Sequence, residues 1–434
     1  MAGARRAEGS ERILDAERVA TETLPNGLRL RVLEHRAAPT VSYYTFFQVG
    51  SRNERPGLTG ISHLFEHMMF NGAARYGPKE FDRVLESKGG HSNAYTSNDV
   101  TAYYEDFSTE ALPTVVDLES DRMRSLALTP ETLEQERQVV KEERRLRSEN
   151  SVFGLLEEQL EALAFQAHPY RWPVIGWMED IERISREDCL AWFRVYYAPS
   201  NAAAYVFGDV DAAETLAALR AAYGDIPAGP PAPPVPSGEP PQRGERRAVV
   251  RYPAQAPALV AGWRAPAARS ADAPALDVLQ AALAMGESSR LRRKLVEEGE
   301  LAVSVHVSYG WRIDPGLFTV FAELAPGVRP ERFEAALSRE IARVAERGIS
   351  AEELARARRL LRSGVLHEMA THGGVAHALG QAEALMGDWR EAGRSLAQYA
   401  AVGRRDVQRV AREWLDPGKR NVVRLEPRGR ERRA

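Results

Sequence analysis

The segment His63-Leu64-Phe65-Glu66-His67 carries residue types at a spacing that could do chemistry. On an α-helix each residue turns about 100°, so His67 lies roughly 40° round from His63 and Glu66 roughly 60° to the other side. All three side chains then share one face. Two imidazoles can hold one metal ion while the carboxylate beside them handles a proton, the division of labour of a catalytic zinc site. Gly57-Leu58-Thr59-Gly60 can start such a helix, Gly72 can stop it, and Ile61, Leu64, Phe65, Met68 and Met69 supply an apolar surround.

A catalytic zinc takes three protein ligands and keeps its fourth position for water. A second helical stretch, Glu136-Arg137-Gln138-Val139-Val140-Lys141-Glu142-Glu143, offers carboxylates for the missing place. Glu136 and Glu143 stand seven residues apart and project from nearly the same side. On its own such an acid-rich helix reads as a solvated face. Beside a histidine pair it is a source of a third ligand.

Together these segments resemble the pitrilysin-type metallopeptidases, which include mitochondrial processing peptidase and insulin-degrading enzyme. That family uses H-x-x-E-H, the reverse of the H-E-x-x-H of many zinc peptidases, followed by a glutamate inside an E-x6-E pair. Glu143 follows His67 by 76 residues, the family's spacing, and Glu136 is its partner. Between them, Gly89-Gly90-His91-Ser92-Asn93-Ala94-Tyr95-Thr96 matches a family strand of the form G-x-x-N-A-x-T, and Asp99-Val100-Thr101-Ala102-Tyr103-Tyr104 continues the match. Leu24-Pro25-Asn26-Gly27-Leu28 is similar to the family's entry into its first strand. The resemblance runs over nearly the whole chain.

The resemblance implies one Zn2+ per chain, held by His63, His67 and Glu143, with Glu66 as the catalytic base and Glu136 behind the ligands. It implies an α+β fold of two αβ-roll halves closing round a chamber that admits flexible or unfolded peptides. It also implies that the edge of the strand Asn93, Ala94, Tyr95, Thr96 binds the substrate backbone as an added strand. One feature departs from the family. Self-sufficient members carry an arginine and a tyrosine seven residues apart that face the zinc. Gly286-Glu287-Ser288-Ser289-Arg290-Leu291 fixes the register, and Val296 and Val303 then stand at those two places. Valine can neither bind an anion nor donate a hydrogen bond.

Three readings follow. In the first, this is the zinc-bearing subunit of a heterodimeric peptidase whose related partner supplies the arginine and tyrosine. In the second, it is a homodimeric peptidase using Arg290, Arg292 or Tyr309 instead. In the third, it is a non-catalytic structural or binding subunit. The four retained functional groups argue against the third.

The elements that must position these residues fall into two blocks. Pro227 to Pro241 contains eight prolines in fifteen positions, a stiff extended linker. The domains are therefore expected at 1–226, bearing the zinc, and 244–434, without ligands, joined by 227–243. Strands near Leu28–Glu34 and Val41–Val49, a helix near Pro78–Lys88 and paired strands near His91–Phe107 have counterparts after the linker. Those are strands near Ala248–Tyr252 and Ala258–Arg264, helices Ala275–Met285 and Ser289–Glu298, and strands Leu301–Tyr309 and Leu317–Leu324. Laying Gly286 on Gly72 puts Asp277, Gln280 and Ala281 where His63, Glu66 and His67 stand, so the second block has lost its ligands. His367 and His372, five residues apart and roughly 140° round a helix, cannot chelate one ion and read as surface or packing residues.

Composition narrows the function classes. A chain of 434 residues exceeds one ordinary core, and 44% hydrophobic with 27% charged residues describes a globular protein. A formal charge of −3 gives no reason to expect nucleic acid. No apolar run reaches the roughly 20 residues of a membrane span. The N-terminus lacks the apolar core of a signal peptide, and Cys189 is the only cysteine, so a cytoplasmic setting is expected. Cys189 itself reads as a buried helix residue.

Overall fold

A computed structural model describes residues 14–78 and 80–428. Two mixed sheets organise it. The strands of the first are β1 (Val19–Thr23), β2 (Arg29–Glu34), β3 (Thr40–Phe47), β4 (His91–Thr96), β5 (Thr101–Ser108) and β6 (Ala202–Gly208), in the order β1-β2-β6-β3-β5-β4. The second holds β7 (Arg246–Tyr252), β8 (Ala258–Ala265), β9 (Ala302–Tyr309), β10 (Gly316–Leu324) and β11 (Arg420–Pro427), in the order β7-β11-β8-β10-β9. Apart from β1 the orders coincide. The single parallel pairing in each also coincides, β2 with β6 and β7 with β11. The fold is α+β, built twice.

The repeat expected from the sequence is present, but the closing strands β6 and β11 were not anticipated. Each returns from the end of its half to lie in the middle of its sheet. β6 is a continuous apolar run, buried at every residue from Ala202 to Gly208, and β11 mixes Val422, Val423 and Leu425 with Arg420, Asn421 and Arg424, so neither shows the alternation that marks a half-exposed strand. Burial on both faces requires two covers. One face of the first sheet packs on helices of its own half, with Leu30, Val32, Tyr43, Phe47, Leu64 and Phe65 in one core. The other face, with Tyr44, Phe46, Tyr205 and Phe207, is covered by the helix His372–Met386 from the C-terminal half. In return the helix Val152–Ala164 lays Leu156 and Leu160 on Val260 and Val423 of the second sheet. Glycine permits both contacts. A Cβ at Gly380 would come within 2.0 Å of the Phe46 ring, and one at Gly262 within 2.9 Å of Leu160.

Polar groups join the halves as well. Arg52 pairs with Asp314 at 2.6 Å, Arg312 with Glu161 at 2.5 Å, and Asp99 accepts from Ile313 N–H at 3.1 Å. Residues 227–243 form neither helix nor strand, and Glu239 fastens them by accepting the backbone N–H groups of Gln166, Ala167 and His168. Among the described residues no helix is long and apolar enough to cross a membrane. His367 and His372 do not share a helix. Ala351–Glu368 ends first, Thr371 caps the next helix, and His372 at its head meets His35, ring nitrogen to ring nitrogen, at 2.8 Å.

Candidate metal centre

The helix Ile61–Met68 carries His63, Glu66 and His67, and its start is fixed from three sides. Gly60 precedes it with φ +87°, and a Cβ there would strike the Ile175 carbonyl oxygen at 2.4 Å. The buried Glu54 carboxylate accepts from Gly60 and Ser62 N–H, both at 2.8 Å, satisfying donors that a helix start leaves orphaned. Burial outweighs these bonds and pushes Glu54 up to about 8. Asp180 accepts from Gly57 and Thr59 N–H and from the Thr59 hydroxyl. An eight-residue helix is marginal alone. Here its packing and its caps hold it.

Against it lies the helix Pro130–Arg144 with Glu136 and Glu143. The Glu143 Oε2 atom is 3.7 Å from His63 Nε2 and 3.3 Å from His67 Nε2. Donor atoms of these three residues all lie within 4.8 Å of one another, the sole such group among the described residues. Glu136 Oε2 meets the other ring nitrogen, His67 Nδ1, at 3.3 Å. Such a carboxylate fixes which nitrogen faces a metal. Zinc binds nitrogen and oxygen donors at about 2.0–2.2 Å, and three donors converging on one point, with a carboxylate behind one of them, fit that ion.

The electrostatics agree with a cation site. Burial disfavours charge on His67, yet hydrogen bonds to Glu136 and Glu143 outweigh it and hold the ring at about 9. Burial and the neighbouring His67 push His63 the other way. The hydrogen bond from His67 keeps Glu143 below the usual carboxylate range. Glu66 is turned aside from the three donors. Its Oε2 accepts from the Thr96 hydroxyl at 2.5 Å, and burial raises its pKa.

β4 lies at the end of the first sheet and pairs only with β5 among the described residues, from His91↔Asp106 to Thr96↔Thr101. Its outer edge is free beside the donors. Asn93 is exposed, and its side chain accepts from Ala94 N–H at 2.8 Å. Thr96 faces Glu66. Tyr95 turns to the opposite side, where its hydroxyl accepts from Gln381 of the C-terminal half at 2.6 Å. A cavity of about 880 Å³ opens over His63, Glu66, His67, Glu143 and this strand.

Sequence reasoning missed several of these partners. Arg147 pairs with Glu143 Oε1 at 2.8 Å, and the i,i+4 spacing was there to be read. Thr96 reached through a sheet, and Glu54 and Asp180 through loops, left no such local signal. Across the repeat, the helix Ala273–Ala284 holds Asp277, whose carboxylate accepts from Trp311 Nε1 at 3.2 Å and from the Tyr399 hydroxyl at 3.1 Å. Gln280 accepts from Tyr309 N–H and Ala281 is buried. Val296 packs on the second core, while Val303 on edge strand β9 is 56% exposed. Arg290 is taken up by Glu353, Arg292 pairs with Glu287, and the Tyr309 hydroxyl donates to Pro266.

Residues 31–176 match insulinase (peptidase family M16), and residues 183–361 match the peptidase M16 inactive domain. The chain is 35% identical to the zinc protease PqqE of Helicobacter pylori over 331 residues, 75% of this chain and 73% of that one. It is 30% identical to an uncharacterized zinc protease of Mycobacterium leprae, covering 92% and 89% of the two. A probable mitochondrial-processing peptidase subunit beta of Arabidopsis thaliana is 25% identical, over 93% of this chain and 77% of that one. The crystal structure of a protease from Helicobacter pylori superposes with a TM-score of 0.91 at 28% identity, covering 94% and 99%. The fold and these matches thus place the chain among relatives named as zinc proteases. The chain belongs to peptidase family M16.

Proposed function

We propose that this chain is the zinc-bearing catalytic subunit of an endopeptidase that hydrolyses flexible peptides. The observation carrying this reading is the convergence of His63 Nε2, His67 Nε2 and Glu143 Oε2, with Glu66 on the same helix as the histidines and bonded to Thr96 of the edge strand β4. The match to an inactive domain covers 183–361, outside all of these residues.

His63, His67 and Glu143 would hold one zinc, which when bound supplies Lewis acidity and a water whose pKa lies near 7. The remaining work falls to the chain's own groups. Glu66 takes the proton of the attacking water at Oε2 and returns it to the leaving amine, and burial raises its affinity for that proton. Thr96 donates to the same oxygen and keeps the carboxylate aimed. Glu136 holds His67 by Nδ1. A peptide laid along β4 gains main-chain hydrogen bonds without any demand on its sequence.

The oxyanion is less well served. Val296 and Val303 offer no donor, and the nearby polar groups Arg290 and Tyr309 are committed to structural partners. We therefore assign the arginine and tyrosine to a paralogous partner subunit, a reading supported by the relative named as a subunit beta. The purified chain is expected to contain about one zinc and to cleave peptides about 10²–10³-fold more slowly than with its partner, the effect of one absent oxyanion donor. Cleavage by the chain alone at the partnered rate would remove the heterodimer from this reading. Absence of activity in both preparations, with zinc bound, would remove the catalytic role.

A further inference from the structure

A carboxylate can give a metal ion one oxygen or two, and the choice decides how much room is left for water. The two oxygens of Glu143 are already divided. Oε2 faces the histidines, 3.3 Å from His67 Nε2 and 3.7 Å from His63 Nε2. Oε1 is held by Nη1 of Arg147 at 2.8 Å. Arg147 lines the cavity over the donors, yet no step of the proposed hydrolysis uses it.

The backbone fixes where this arginine stands. After Arg144 the helix bearing Glu143 passes into a five-residue π-helical turn, Arg145–Glu149, a device that re-aims side chains and is frequent at functional sites. Asn150 N–H closes the turn on the Arg145 carbonyl at 2.8 Å. The helix Val152–Ala164 then starts hard against it. A Cβ at Gly154 would come within 2.1 Å of the Arg147 carbonyl oxygen, so only glycine lets the two segments touch. The Arg147 backbone is thereby pinned, while its side chain is 76% exposed. Its neighbours have other work. Arg144 turns inward to Glu158 at 3.1 Å, and Arg145 pairs with Glu142. Glu136 meets His67 Nδ1 and so orients a ring.

We propose that Arg147 is a positioning residue that holds Glu143 as a one-oxygen ligand and so keeps the fourth metal position open for water. The proposal rests on the metal centre and the peptidase reading above. With Arg147 in place a charged donor occupies Oε1, and Oε2 alone is left to face the ion. Without it Oε1 is free to turn to the same point, where a second carboxylate oxygen takes the room a water needs. An ion pair this exposed adds little to the stability of the fold. Its removal should therefore act on the ligand and not on folding.

The test compares Arg147→Met, which keeps the stem and loses every donor, with Arg147→Lys, which keeps a charged donor. Cobalt(II) loaded in place of zinc reports the ligand number, because its visible absorption weakens when four ligands become five. The wild-type protein should give the four-ligand spectrum. Arg147→Met should give the five-ligand one with about one metal still bound per chain and an unchanged unfolding temperature. In the zinc-loaded enzyme with its partner, kcat of Arg147→Met should fall about 10–100-fold at little cost in KM, the usual effect of removing a group behind a ligand. Arg147→Lys should recover most of the rate and the spectrum. Arg145→Met, on the same turn, should alter neither. A wild-type spectrum that already shows five ligands, or one that Arg147→Met leaves unchanged, overturns the proposal. If the spectrum responds as expected but the partnered wild type cleaves nothing, the role of Arg147 stands and the peptidase reading falls. If the wild type binds neither cobalt nor zinc, both fall.

Discussion

The helices Ile61–Met68 and Ala273–Ala284 occupy the same place in two copies of one sheet plan and have opposite fates. Each ends shortly before a glycine with positive φ, Gly72 at +98° and Gly286 at +80°. In the first, nitrogen donors face open space and converge on a carboxylate from another helix. In the second, Asp277 stands in the place of His63, but Trp311 and Tyr399 close over it. Gln280, in the place of Glu66, reaches the backbone of β9, just as Glu66 reaches β4. A ligand set needs unsatisfied lone pairs aimed at one point. On the helix Ala273–Ala284 the polar side chains Asp277 and Gln280 are taken up by Trp311, Tyr399 and the Tyr309 backbone, which leaves no such set.

The comparison breaks most sharply at the ligands. His67→Ala is expected to abolish tight zinc binding, checked by metal analysis of the purified protein, because two donors cannot replace three. The same protein with Asp277→Ala should keep its zinc. Glu66→Gln should keep the metal and lower kcat by about 10²–10⁴-fold in the partnered enzyme, the usual cost of losing a general base. Near wild-type turnover in that variant would take Glu66 out of the mechanism. Glu136→Gln leaves all three donors and removes the anion behind His67. Competition with a chelator should show zinc affinity about 10–100-fold weaker.

The smallest effect lies in the C-terminal half and concerns stability alone. Burial pushes the Asp277 carboxyl up to about 7, against the lowering hydrogen bonds from Tyr399 and Trp311. Its folded pKa thus exceeds the unfolded value of about 3.9. The folded state holds the extra proton, so its stabilising contribution is full below about pH 4 and is lost as pH rises through about 7. One proton gives a slope of at most about 1.4 kcal/mol per pH unit. Asp277→Asn should flatten the denaturation free energy over that window and leave zinc content unchanged. An unchanged slope would mean that Asp277 does not carry it.

The His63–His67 spacing and the Glu136–Glu143 pair were legible because a helix converts sequence distance into a shared face, which needs no knowledge of the rest of the chain. The internal repeat was legible for the same kind of reason, since each sheet begins with a recurring pattern of strand, strand, helix and strand pair. Tertiary structure alone decided that Thr96 meets Glu66, that Gln381 backs the same strand, and that each half lends a helix to cover the other's sheet. These contacts join residues tens to hundreds of positions apart, or hang on a glycine that admits a close approach, as Gly154 and Gly380 do. A local period encodes which face a residue occupies; what waits opposite that face is fixed only when the chain closes on itself.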